Sequence, residues 1–296
     1  MAIMALLLVF SATSTGAVLG GSAATMTACA AILLLGLPHG TLDLELMKRQ
    51  RAIGPARMAI VIIVYLALAA VMYAVWRAAP VAALVIFISI AIVHFSEDWS
   101  ENVSAFLAQG VALSILAAPA FFHRTEMQAL FVGVTGEADA AVVADLMLML
   151  APVSVGVAAV ALAAIWREGC RMHALAGLSA IVGMALLPPA VGFAVFFCLS
   201  HSPRHFRAAL TMLKPSGPRQ IAAVVVLLTM AAIGLAAHLF AREVRANVTD
   251  QWVVASFMTL SLLTVPHMAV PALFAALDRR GDRRAAHPLQ GSIALR

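Results

Sequence analysis

The stretch AVGFAVFFCLSHSPRHF, Ala190 to Phe206, passes from an apolar run into two histidines and an arginine with no turn-forming break between them. The run reads as a membrane helix, so the polar residues belong to the same span. Ionisable groups at that depth cost roughly 2.5 to 3.5 kcal/mol each on insertion scales and usually face a cavity inside a bundle. Fold and function therefore turn on two questions: how many such helices the chain makes, and what their polar groups share.

Composition answers the first. The 296 residues are 63% hydrophobic and 11% charged, with a mean hydropathy of +1.00, which cannot supply the surface of a soluble domain. Apolar runs repeatedly approach or exceed the roughly 17 to 25 residues needed to cross a hydrocarbon core. The fold class is therefore all-α, a polytopic transmembrane helical bundle with no soluble domain left over. The net charge of +5 would suggest nucleic acid in a soluble chain, but these arginines sit in short loops that orient spans, and nucleic acid is excluded as a partner. Cys29, Cys170 and Cys198 lack CxxC spacing and imply no disulfide framework.

Spans are predicted at about Ile3 to Leu19, Ala24 to Met47, Met58 to Trp76, Val81 to Glu101, Val103 to Phe122, Ala141 to Ile165, Ala174 to Leu187, Ala190 to Leu213, Ile221 to Phe240 and Trp252 to Leu277. That makes about ten, with eight or nine also allowed by weak breaks at residues 101–103 and 188–189. The N-terminal run lacks the basic flank of a cleaved signal and is read as the first span. Lys48, Arg49, Arg51 and Arg57, then Arg167 and Arg171, then Lys214 and Arg219, then Arg279, Arg280, Arg283 and Arg284 fall on one side. This places both termini in the cytoplasm and the protein in the cell inner (plasma) membrane. A single transmembrane domain over residues 1–285 is expected, with 286–296 a flexible cytoplasmic tail.

Four spans carry most of the strongly polar residues: LPHGTLDLE, VHFSEDW, LSHSPRHF and TVPHMAV. His39, His94, His201, His205 and His267 each fall about 11 to 15 residues from the outer end, roughly 16 to 23 Å deep at about 1.5 Å per residue. They can share one layer. His39 with Asp43, His94 with Asp98, and His201 with His205 are four positions apart and project from common helix faces. Neutral imidazoles from several helices, with carboxylates one turn away, are the donor set of a non-haem metal site. Asp43 and Asp98 would accept from the second nitrogens of the histidine ligands.

A lone membrane histidine is more often an interhelical hydrogen-bonder than a ligand, so the metal reading rests on the set. Pro38 and Pro266 precede histidines and are expected to kink their helices, the freed carbonyl being satisfied by a neighbour. Arg204, a further catalytic candidate, is expected to answer a carboxylate such as Glu97 or Asp98, against a direct substrate role. Phe95, Phe193 and Phe197 suit an apolar substrate tunnel, although packing is the default for any one aromatic here.

The motifs GLPHGTLD, IVHFSEDW, LSHSPRH and VPHM, in this order across nearly the whole chain, resemble the Brp/Blh family of membrane β-carotene 15,15'-dioxygenases. The resemblance implies central cleavage of β-carotene by O2 to two retinal molecules, with Fe(2+) as cofactor. It also implies iron ligation by His39, His94, His201 and His205, with His267 in the last motif less firmly assigned. The family's second motif commonly reads HFG before an acidic residue; here Ser96 replaces the glycine, which bears on local packing and on the preferred carotenoid. A polyene about as long as the hydrocarbon core is thick, roughly 30 Å, would have its centre beside a metal held at mid-depth.

A membrane iron hydroxylase or desaturase acting on another lipid typically uses more histidine boxes than the single HxxxH found here. A non-enzymatic haem-binding or transport bundle would also use paired histidines. An opsin is disfavoured because Lys48 and Lys214, the only lysines, fall at span ends. A functional link to a retinal-binding rhodopsin is left open.

Overall fold

A computed structural model describes residues 21–50, 54–213, 218–242 and 247–285. The expected first span and the C-terminal tail lie outside the described residues, as do the side chains of His39 and Asp43.

The described chain is helical throughout. Ser22–Ala31 (α1) runs through a π-helical turn, Ile32–Gly36, and a 3-10 stretch, Leu37–Leu42, into Asp43–Gln50 (α2). Pro55–Ala78 (α3), Pro80–Ser96 (α4), Ala105–Ala117 (α5) and Arg124–Thr135 (α6) follow, then Ala141–Arg167 (α7) and Arg171–Leu186 (α8). Pro189–Phe196 (α9) passes through a second π-helical turn, Phe197–His201, into Ser202–Met212 (α10); Pro218–Arg242 (α11) and Val248–Ala285 (α12) complete the chain. Proline at the first helical position of α3, α4 and α9 starts each without wasting a donor.

Among the described residues, 5 helices are long and apolar enough to cross a membrane, or 6 if α5 and α6 form one broken span. The expected spans at 81–101 and 174–187 are shorter helices, α4 and α8, of 17 and 16 residues. The largest departure from the sequence reading is α6. Residues between the expected spans at 103–122 and 141–165, with no element expected there, fold into a helix bent 108° from the preceding one. Its apolar positions Met127, Leu130, Phe131 and Val134 recur at helical spacing and pack into the core.

Helix α12 is the axis of the bundle. It packs against α1, α3, α4, α6 and α11, and 67% of its most apolar window is buried, against 11% for the lipid-facing α3. Its polar positions find partners: Trp76 Nε1–H donates to Ser261 Oγ at 2.6 Å, and the Tyr65 hydroxyl donates to the Leu263 carbonyl at 3.3 Å. Leu263 neighbours Leu262, whose carbonyl Pro266 leaves without its helical donor, and α12 continues through both Pro266 and Pro271. Buried alanines such as Ala108, Ala112, Ala144 and Ala158 let α5 and α7 approach closely. Gly110 is needed there because an added Cβ would overlap Val157.

Candidate metal centre

Both histidine-bearing segments that begin with a π-helical turn are distorted at the same level, and they are fastened to each other. A π turn followed by 3-10 or α geometry interrupts the regular hydrogen-bond ladder and leaves carbonyls to be satisfied from outside. Ser202 meets that need: its buried hydroxyl lies 3.1 Å from the Leu35 carbonyl and 3.0 Å from that of Gly36. The Cys198 thiol reaches the Ala31 carbonyl at 3.3 Å. Gly36 has no room for a side chain, because a Cβ would run into the Phe197 ring. That ring in turn stacks on His201, with centroids 5.7 Å apart and planes at 15°. The backbone of the LPHG motif is thus registered against the turn that presents His201.

Four imidazoles converge. His201, fully buried, lies with Nε2 3.0 Å from His94 Nε2. The His94 ring is 5.5 Å from that of His205 and 4.9 Å from that of His267. Gly40, next to His39, faces the His267 ring, since its Cβ would stand 3.5 Å from Nδ1. The backbone after His39 therefore borders the same cluster.

Asp98 organises one side of it. Its carboxylate, 1% exposed, takes His201 Nδ1 at 3.1 Å on Oδ2 and His205 Nε2 at 3.1 Å on Oδ1. Arg204 donates to the Asp98 carbonyl at 3.1 Å and stands 3.5 Å from Oδ1. The negative charge is thus buried beside a guanidinium and two imidazoles, the pairing a desolvated carboxylate requires. Sequence spacing paired Asp98 with His94 on one helix face. In the structure α4 ends at Ser96 and the chain turns, Asp98 N–H donating to Phe95 O. That turn carries the carboxylate toward α10, and it is Glu97 that stands 3.5 Å from His94 Nδ1. Ser96 is buried, and its hydroxyl donates to the Val93 carbonyl at 2.6 Å.

This donor set fits a metal ion. Two metal–imidazole bonds of about 2.0 to 2.1 Å at roughly a right angle hold their nitrogens about 3 Å apart, which is the separation of His94 Nε2 and His201 Nε2. Two neutral imidazoles sharing one proton would give the same distance. A second grouping, Asp98 with His201 and His205, has ligand atoms all within 4.8 Å of one another. His201 belongs to both arrangements. Among the described residues it is the Asp98 group whose donor atoms close to within that distance, whereas His201 Nε2 meets His94, whose ring has those of His205 and His267 at 5.5 and 4.9 Å.

Apolar space adjoins the cluster on two sides. A cavity of about 330 Å³ between α3, α11, α12 and the 3-10 stretch opens at Gly40 and His267, with Tyr65, Thr41 and Thr264 among otherwise apolar walls. A second, lined by apolar side chains mainly from α4 and α6, includes Phe193 of α9 and Phe257 of α12 in its walls. Phe193 stacks on Phe197 at 5.4 Å, and Phe95 stands 4.7 Å from His201. Of the three phenylalanines singled out from the sequence, Phe193 lines a cavity, while Phe95 and Phe197 pack on the histidines. Ser202, Gly36 and Tyr65 escaped the sequence reading. The first sits inside LSHSPRH as a small polar residue in an apolar span, which was the available signal.

Comparison with known proteins gives the family. A family model described as beta-carotene 15,15'-dioxygenase matches residues 30–275, which include all five histidines. A protein of an uncultured marine bacterium, 66A03, named beta-carotene 15,15'-dioxygenase, is 27% identical over 264 residues, 81% of this chain and 90% of that protein. No solved structure matches.

Proposed function

The chain belongs to the beta-carotene 15,15'-dioxygenase family, whose members are carotenoid-cleaving dioxygenases, and we propose that it cleaves β-carotene at the central 15,15' double bond using ferrous iron held by its buried histidines. The C15=C15' bond breaks, each carbon becomes an aldehyde, and one O2 accounts for the two oxygens of the two retinal molecules. Iron, when bound, supplies the activation of O2 that a closed-shell polyene cannot achieve.

The observation that carries the reading is the convergence of the buried His94 and His201 with the partly buried His205 and His267, beside an apolar cavity at His267. His94 and His201 would ligate through Nε2, with His39 and His205 completing the set and His267 bordering the substrate cavity. Asp98 would fix the His201 tautomer by accepting its Nδ1–H, which leaves Nε2 unprotonated and aimed inward. Asp43 is assigned the corresponding role for the LPHG motif. Arg204 would neutralise Asp98 rather than touch substrate. The phenylalanines and the cavity walls exclude water, so that an apolar substrate lies against the ligands in a dry site. In this reading the bundle lies in the cell inner membrane with cytoplasmic termini.

Expression in a β-carotene-producing bacterium, followed by pigment extraction and chromatography, tests this. Loss of carotene with appearance of retinal, abolished by His94→Ala, is expected. Intact carotene beside well-folded, iron-loaded protein would reject the substrate and leave an oxygenase of another membrane lipid.

A further inference from the structure

Away from the cavities beside the histidines, the junction of α7 and α8 forms a basic pocket. Residues 169–173, Ala176 and Arg204 line an open cavity of about 510 Å³. Gly169, at φ 88°, turns the chain between the two helices. Cys170 caps the 16-residue α8, so the positive end of that helix is among the lining groups. Arg171 and Arg204 supply the side-chain charge, with the His173 imidazole beside them, whereas the nearby acids Glu101 and Glu168 do not line the pocket.

Two neighbours give its level. Trp166, in the last turn of α7, is 45% exposed and carries the Arg171 guanidinium 5.5 Å from its ring centroid. An exposed tryptophan at the end of a span marks the lipid headgroup layer. Met172, 70% exposed, offers apolar surface beside the charge. A cationic recess between helix ends, at headgroup level and next to apolar surface, has the chemistry of an anionic lipid site. Guanidinium forks match phosphate oxygens in particular.

We propose that this pocket binds the phosphate of an anionic phospholipid headgroup, and that Arg204 couples its occupancy to the histidine cluster. Arg204 reaches both the carbonyl and the carboxylate of Asp98, and Asp98 holds His201 and His205. With five N–H donors in a fork, one guanidinium can keep the Asp98 contacts and still offer an edge to phosphate. A bound headgroup holds Arg204 in place, and with it the carboxylate that orients the two imidazoles. The binding claim stands on the pocket alone; the coupling rests on the proposed function.

The test uses the purified full-length protein in vesicles of phosphatidylcholine with or without phosphatidylglycerol. Lipid retained by the protein is counted by native mass spectrometry, and retinal formation is measured in parallel. Wild type is expected to retain phosphatidylglycerol in preference to phosphatidylcholine and to turn over faster when it is present. Arg171→Ala, at a residue outside the histidine cluster, should lower that retention about five-fold, the equivalent of about 1 kcal/mol per basic residue at an anionic surface, while keeping the rate seen in neutral vesicles. Equal retention by wild type and variant overturns the site. Retention lost with turnover unchanged overturns the coupling. The same stimulation by inorganic phosphate in neutral vesicles overturns the lipid assignment. Should the protein form no retinal, retention still decides the binding claim, separately from the catalytic reading.

Discussion

Replacing Asp98 with asparagine changes few atoms and much chemistry. The carboxylate accepts from His201 on one oxygen and His205 on the other, each at 3.1 Å, with a side chain 1% exposed. An asparagine keeps one acceptor oxygen and turns the other into an NH2 donor. One imidazole must then face a donor, and either its tautomer flips or the contact is lost. If Asp98 acts by orienting ligands, the expected loss is about 10- to 100-fold in iron affinity or activity, equivalent to about 1.4 to 2.8 kcal/mol. Arg204 would add to this by losing its anion, but its side chain is 34% exposed, so water takes over much of that interaction. The assay is iron bound per chain against free Fe(2+), alongside retinal formation at saturating iron, with helicity confirming the fold. Wild-type affinity and rate in Asp98→Asn would refute the orienting role. Total loss of metal in a folded variant would instead make the carboxylate itself a ligand, in the grouping with His201 and His205.

Other outcomes follow from the same geometry. His201→Ala and His205→Ala are expected to lose iron and activity while the bundle remains inserted; full activity in either removes that residue from the ligand set. Asp43→Asn should cost about 10- to 100-fold in metal affinity or activity, and unchanged values would leave Asp43 a structural partner. Gly36→Ala should destabilise by about 1 to 3 kcal/mol, because its Cβ meets the Phe197 ring, and an unchanged Tm would show that the ring moves freely. Leu235→Trp, placed in the cavity that opens at His267, should raise KM for β-carotene without lowering iron content; an unchanged KM would exclude that cavity as a substrate path.

The helical bundle was legible in the sequence because lipid imposes one rule on every residue of a span. Backbone groups must bond within the segment, and side chains must be apolar unless something inside answers them. That rule identifies α3, α7, α11 and α12 from hydropathy alone. It also singles out four histidine motifs, because each polar residue is an exception to it. It does not reveal α6, whose mixed composition resembles a loop until the spacing of Met127, Leu130, Phe131 and Val134 is matched to a core that must already exist.

Partnership within the candidate site was beyond the sequence. Spacing of four assumes an unbroken helix, which pairs Asp98 with His94. The chain instead turns at Ser96 and hands the carboxylate to His201 and His205, more than a hundred residues away in sequence. The π-helical turns, and Ser202 bridging them to the Leu35 and Gly36 carbonyls, likewise exist only once two segments meet. Sequence by itself determined which residues are too polar for their surroundings, because that depends on each residue and the solvent around its span. Only the tertiary structure decided which of them answer one another, because a hydrogen bond needs its two groups within about 3 Å, and packing between distant helices sets that distance.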